Sequence, residues 1–294
     1  MAQVTTCSTL GYADYSLDVA AREIARRGFR QVELAHMVSY CTHYDPWRAE
    51  PAAVLALLAQ HGLKPVSMNQ SISKPNQPDR QSWTYHVTDP ADAEAYEAHV
   101  HRVIDQAAGL GLKVVLASIG NRALEPAEAA RARRIYAGIL SRQADYAAGK
   151  SVQLCTELPH LYTMCYDLDT TLELFSHTES DSLGNTIETA HWGVGQHDMR
   201  ELFRRMGDRV RHVHLRDSAG PDTGDCRQAL ELTPGRGAVD FELFGRILDE
   251  NGYSGEVTLE FEYRGGMSLE QISREYDQGI SHLKKCGWEF PAGV

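Results

Sequence analysis

Val152-Gln-Leu-Cys-Thr-Glu157, Asn185-Thr-Ile-Glu188, Val210-Arg-His-Val-His214 and Glu256-Val-Thr-Leu-Glu260 are four short apolar runs, each ending on a carboxylate or an imidazole. Runs of this length and composition read as buried strands of a parallel sheet. Metal-grade side chains at the C-terminal edge of such strands are what a parallel β-barrel enzyme needs, because its chemistry sits at that end. Carboxylates brought together there repel one another unless a cation lies between them. Three carboxylates and one imidazole form a borderline-hard donor set, suited to Mn²⁺, Mg²⁺, Co²⁺ or Zn²⁺ rather than Cu(I).

Outward from these runs, strand-like and helix-like stretches alternate along the whole chain. Strands are expected at Gln3–Cys7, Gln31–Leu34, Lys64–Asn69, Lys113–Ser118, Val152–Glu157, Asn185–Thr189, Val210–Leu215 and Glu256–Phe261. Helices are expected at about Leu17–Arg27, Pro51–His61, Ala91–Leu110, Pro126–Ala148, Asp169–His177, Asp198–Met206, Phe241–Asn251 and Ser268–Lys285. In the first helix Val19, Ala20, Ile24 and Ala25 make the apolar stripe. Gly28, Gly62, Gly111, Gly149 and Gly252 stand where helices should stop, and Pro51 where one should start. Eight strand–helix units without a linker or composition break imply right-handed crossovers and closure into a single (β/α)8 TIM barrel spanning residues 1–294. The competing fold is an open doubly wound sheet. It is disfavoured because the first strand is not followed by a G-x-G-x-x-G or Walker A turn.

The chain has 294 residues, 43% hydrophobic and 23% charged, the profile of an ordinary soluble globular protein. A formal net charge of -11 argues against nucleic acid as the main partner and against an anionic membrane surface. Six cysteines form no C-x-x-C pair, which excludes a zinc-finger or thioredoxin pattern. The N-terminus has no signal-like apolar stretch and no run reaches membrane-spanning length. A reduced, cytoplasmic enzyme is expected.

Several motifs together resemble the xylose-isomerase-like superfamily of TIM barrels, which holds sugar isomerases and epimerases, keto-inositol dehydratases and the endonuclease IV group. They are Gly28-Phe-Arg-Gln-Val-Glu33-Leu, the strand ending at Glu157, Glu188-Thr-Ala-His191, Val213-His214-Leu-Arg-Asp217, Pro234-Gly-Arg-Gly237-Ala-Val-Asp240, and Gly252-Tyr-Ser-Gly255-Glu-Val-Thr-Leu-Glu260. The resemblance implies that Glu157, Glu188, His214 and Glu260 hold one divalent cation. It implies that His191 meets the substrate beside them, and that Glu157 and Glu260 are the acid/base pair. The family usually has aspartate where this chain has Glu188, and the extra methylene moves the carboxylate by about 1.5 Å. Relatives assemble as dimers and tetramers, so a homo-oligomer is one expectation.

The expected activity is isomerisation or epimerisation of a ketose or related small polyol through a metal-stabilised enediolate. The shared difficulty is removing a proton from carbon beside a carbonyl. The alternative is a lyase or dehydratase acting on a keto-sugar, keto-cyclitol or oxidised glycoside, since β-elimination passes through the same enolate. Endonuclease IV-like phosphodiester cleavage needs further ligands, and Asn69 and Ser118 stand where they would be. A non-catalytic sugar-binding barrel would leave buried carboxylates unpaired at a stability cost.

Other residues carry smaller expectations. His160 and Arg236 are candidate substrate contacts, against a loop role and a solvated arginine respectively. Trp83 and Trp192 are candidates for the pocket wall or for core filling. Asp217 is expected to orient a histidine or a loop. Glu33 is expected to hydrogen-bond inside the barrel top, His212 to lie in the core below His214, and Glu262 at the rim. His36, His43 and His86 read as loop histidines without a role, and Ala127–Arg134 as a solvated helix face.

Overall fold

The structure, a computed structural model, describes residues 2–38, 40–74, 84–116, 125–161, 163–195, 197–220, 231–263 and 265–294. Its strands are β1 (Thr6–Ser8), β2 (Gln31–Met37), β3 (Cys41–Thr42), β4 (Lys64–Gln70), β5 (Lys113–Leu116), β6 (Leu154–Glu157), β7 (Gly184–Glu188), β8 (Val210–Leu215) and β9 (Glu256–Leu259). The order β1-β9-β8-β7-β6-β5-β4-β2 closes through parallel pairing of β1 with β2, where Thr6 stands opposite Gln31. The result is a closed barrel of eight parallel strands. β3 lies outside the barrel, antiparallel on the end of β2. It is two residues long, too short for an alternating pattern to reveal it.

The described helices are α1 (Leu17–Arg26), α2 (Pro51–Gln60), α3 (Pro90–Leu110), α4 (Pro126–Gly149), α5 (Leu168–Ser176), α6 (Thr189–Gly195), α7 (Met199–Met206), α8 (Phe241–Glu250) and α9 (Leu269–Lys285). Their starts follow local chemistry. Asp89 accepts from the Ala91 N–H at 2.9 Å with Pro90 at the first helical position of α3. Asp167 with Thr170 and Ser268 with Gln271 form capping boxes for α5 and α9. Gly28 ends α1 with φ of 94°, and a Cβ there would stand 2.6 Å from the Gly293 carbonyl carbon. α6 was not expected. It is seven residues long, has two glycines and starts directly after β7, so no apolar period marks it.

Packing follows the layer logic of the fold. Leu34, Met68, Val114, Leu154, Ile187, Val213 and Leu259 on the strands are fully buried with Ile104, Leu140, Leu174 and Phe244 on the helices. Trp192 is 1% exposed and belongs to this core rather than to an open wall. His36 lies on β2 and is buried, not on a loop as its sequence context suggested. Among the described residues, no helix is long and apolar enough to cross a membrane. Trp83 and Ser118 lie outside the described residues.

Candidate active site

β6 and β7 end on Glu157 and Glu188, His214 is the penultimate residue of β8, and Glu260 follows β9 directly. All four are at most 4% exposed. The sheet register places Glu157 opposite Thr186 and Glu188 opposite His214, so the four emerge at neighbouring points of one rim. Three of them converge. His214 Nδ1 lies 2.8 Å from Glu157 Oε1 and 3.5 Å from Glu260 Oε2. One ligand atom from each of Glu157, His214 and Glu260 lies within 4.8 Å of the others.

Glu188 does something different. Its Oε1 accepts from the Ala190 N–H at 2.9 Å and its Oε2 from the His191 N–H at 3.2 Å, which caps the start of α6. Arg216 Nη2 donates to the same Oε2 at 2.9 Å. Among the described residues, the three-donor group that forms around Glu157 does not include Glu188.

A second layer lies beneath. Glu33 on β2 accepts from Ser67 Oγ at 2.7 Å, faces His212 Nε2 at 3.0 Å and faces His214 Nε2 at 3.2 Å. Glu33, His212 and His214 therefore make a second buried group that shares His214 with the first. Asn69 on β4 donates to Glu260 Oε1 at 2.6 Å. The rings of His160 and His191 pack with centroids 3.8 Å apart and their planes tilted by 37°. Each faces the glutamate three residues before it, His160 to Glu157 at 3.9 Å and His191 to Glu188 at 3.7 Å. The Leu161 N–H donates to His191 Nδ1 at 3.3 Å, which leaves the ring proton on Nε2.

Burial and charge set the protonation. Burial pushes the Glu260 carboxyl up to about 8, against the pull of His214 and Arg216 and with the help of Glu157. Burial also raises Glu157, but the His214 hydrogen bond and charge outweigh it, and the group ends below its ordinary value. Burial works against charge on His214, yet Glu260, Glu33 and Glu157 hold its imidazole well above the usual range. His191 is driven well below it by burial and by its neighbours His160, Arg216 and His214. Glu188 is raised by burial, with Arg216 opposing.

A divalent cation fits this donor set. Glu33, Glu157, Glu188 and Glu260 are all buried, while Arg216 and His214 are the buried cationic groups facing them. Glu260 keeps its proton into the neutral range because burial penalises its charged form more than His214 and Arg216 favour it. Two carboxylates and an imidazole within one coordination radius supply the kind of donors expected, and Glu33 orients the imidazole from behind.

The loop that follows β8 is held by Asp217. Its Oδ2 accepts from the N–H groups of Gly235 and Gly237 at 2.8 Å each, and its Oδ1 from Ser218 at 2.8 Å and Val239 at 3.0 Å. A Cβ at Gly237 would lie 2.4 Å from that Oδ1, so glycine is required there. Arg236, on the same loop, turns to Glu275 on α9, 2.6 Å away, and is about half exposed. The basic group beside the buried cluster is Arg216, which the sequence reading passed over although its own motif, His214-Leu-Arg216-Asp217, contains it. Alternation along a strand puts residues 214 and 216 on one side, and that was the available signal. Arg216 also binds Glu262 through Nη1, and Glu262 accepts from the Tyr40 hydroxyl.

Comparison with known proteins shows the family and the fold. A ketose 3-epimerase from Arthrobacter globiformis is 28% identical over 222 residues, covering 74% of this chain and 70% of that protein. An inosose dehydratase from Lacticaseibacillus casei is 26% identical over 125 residues, covering 39% of this chain and 38% of that protein. The solved structure of a 3-keto-D-glucoside 4-epimerase from E. coli superposes with a TM-score of 0.73 at 15% identity, covering 97% of this chain and all of that one, which supports the fold. The family model for xylose isomerase-like TIM barrels matches residues 21–286, and the chain belongs to that family.

Proposed function

We propose that the protein is a divalent-cation-dependent epimerase or isomerase of a ketose or related small polyol. The observation that carries this reading is the convergence of Glu157 and Glu260 on His214 Nδ1 from strands on different parts of the rim. The epimerase and dehydratase relatives support a carbonyl-bearing sugar or cyclitol as the substrate class. Mn²⁺, Mg²⁺, Co²⁺ or Zn²⁺ would be held by Glu157, His214 and Glu260, and when bound it supplies Lewis acidity that lowers the cost of negative charge on a carbonyl oxygen.

The chain's own groups divide the proton work. Glu157 and Glu260 reach His214 from two separate strand ends and form the acid/base pair of this reading. One carboxylate accepts the proton from carbon, and the other returns one from another side. Asn69 fixes the Glu260 carboxyl by donating to Oε1. Neutral His191 offers an Nε2–H donor to a substrate oxygen, and His160, packed against it at a tilt, keeps that ring in place. Burial of every member keeps bulk water from competing for the proton.

The second reading, a dehydratase or lyase, is supported by the inosose dehydratase match. One experiment separates the two. The Mn²⁺-loaded protein is incubated with a panel of ketoses and keto-cyclitols in heavy water. Deuterium uptake at carbon with no loss of mass supports epimerisation, and loss of water or of an aglycone supports elimination. No deuterium uptake and no product across the panel would count against both.

A further inference from the structure

The Glu188 carboxylate takes three hydrogen bonds from within the protein. Ala190 and His191 backbone donors occupy both its oxygens, and Arg216 Nη2 adds a third bond at 2.9 Å. Arg216 is 4% exposed, and its other end is gripped by Glu262, itself held by Tyr40. A guanidinium so deeply buried needs carboxylate partners, because an unpaired buried charge is costly. Glu188 stands directly opposite His214 in the sheet register, within reach of the donor cluster, and yet turns to Arg216. The side chain at this position is one methylene longer than aspartate, a reach of about 1.5 Å.

We infer that Glu188 is the counter-ion that docks Arg216 at the rim and caps α6, and that the cation has three protein donors, Glu157, His214 and Glu260. This rests on the cation-dependent reading given above. Arg216 is thereby a positioned cationic group of the site. Its Nε–H is buried without a partner among the described residues. An unmet buried donor of this kind is one that a bound oxygen would satisfy. The site uses its third acidic strand end, Glu188, to hold that arginine rather than the cation.

The test uses Co²⁺, whose visible absorption reports its coordination, together with calorimetric titration. The proteins are wild type, E157Q, E188Q and the charge-balanced double variant E188Q/R216M. E188Q is expected to bind Co²⁺ with the wild-type spectrum and no more than about 10–100-fold more weakly, as loss of an outer partner does. E188Q/R216M is expected to return towards wild type, whereas E157Q falls by more than about 100-fold, beyond the range of outer-partner effects. A changed spectrum in E188Q, or a loss as large as that of E157Q in both variants, would overturn the inference.

A second measurement needs no cation. Urea midpoints of the cation-free proteins are compared for E188Q, R216M and the double variant. The double is expected to lose clearly less than the summed single losses, because removing both partners leaves neither charge stranded. Additive losses would refute the pair. Failure of wild type to bind Co²⁺ at all would instead remove the cation-dependent reading and the three-donor site with it, while the urea cycle would still decide the pairing.

Discussion

His214 presents Nε2 to Glu33 at 3.2 Å while its Nδ1 faces Glu157 at 2.8 Å, so one imidazole joins the rim to the layer beneath it. Glu33 comes from β2, on the far side of the closed barrel, and is fully buried. With a proton on Nε2 held by Glu33, Nδ1 is the nitrogen left to act as a donor. Glu33→Gln should weaken Co²⁺ binding by about 10–100-fold while the three donors remain. Calorimetric titration measures this, and unchanged affinity would show that Glu33 serves packing alone.

The high pKa of Glu260 has a stability consequence. Its carboxyl moves from an ordinary 4.5 to about 8 in the folded, cation-free protein, chiefly through burial. The folded state then holds the proton more tightly than the unfolded one. That contribution is fully present below about pH 4.5 and is lost as pH rises through about 8. Urea midpoints of the cation-free protein should therefore decline across this window, and Glu260→Gln should flatten the decline. An equal slope in the variant would assign it to another group.

Asp217 collects four backbone donors, from Ser218, Gly235, Gly237 and Val239. Asp217→Asn replaces one acceptor oxygen by a donor facing those N–H groups. The loss should be on the order of 3 kcal/mol, since hydrogen bonds to a buried charge are broken and donors stranded. Gly237→Ala should destabilise through the same contact, because its Cβ would fall 2.2 Å from the Ser218 carbonyl oxygen. Urea denaturation reads both, and wild-type midpoints would disprove the cradle.

Glu157→Gln and Glu260→Gln should each abolish turnover of any ketose the protein accepts, with the circular dichroism spectrum unchanged. Each keeps the size of the side chain and removes its capacity to exchange a proton. Wild-type rates in both variants would eliminate the proposed acid/base pair.

The barrel was legible because its signals are local. Val210–Leu215 follows the expected bounds, and the other strands shift by one to three residues at their ends. Apolar runs, caps and helix-ending glycines act within a few residues of themselves. The convergence of Glu157, His214 and Glu260 was legible for a related reason: each stands at a strand end, and closure brings strand ends together. Partner choice was not legible. Whether Glu188 turns to a neighbouring cluster or to Arg216 depends on one methylene and on a short helix with no period. Arg236 and Arg216 look alike in sequence, and only the fold shows that the first pairs with exposed-side Glu275 and the second lies buried beside the donors.

The most direct test of the account is metal content. The protein is saturated with Mn²⁺, passed through gel filtration and analysed alongside His214→Ala. The account predicts one equivalent of cation per chain in the wild type and loss of it in the variant, with the fold retained. A wild type that retains no cation, or a variant that retains it in full, would contradict the account.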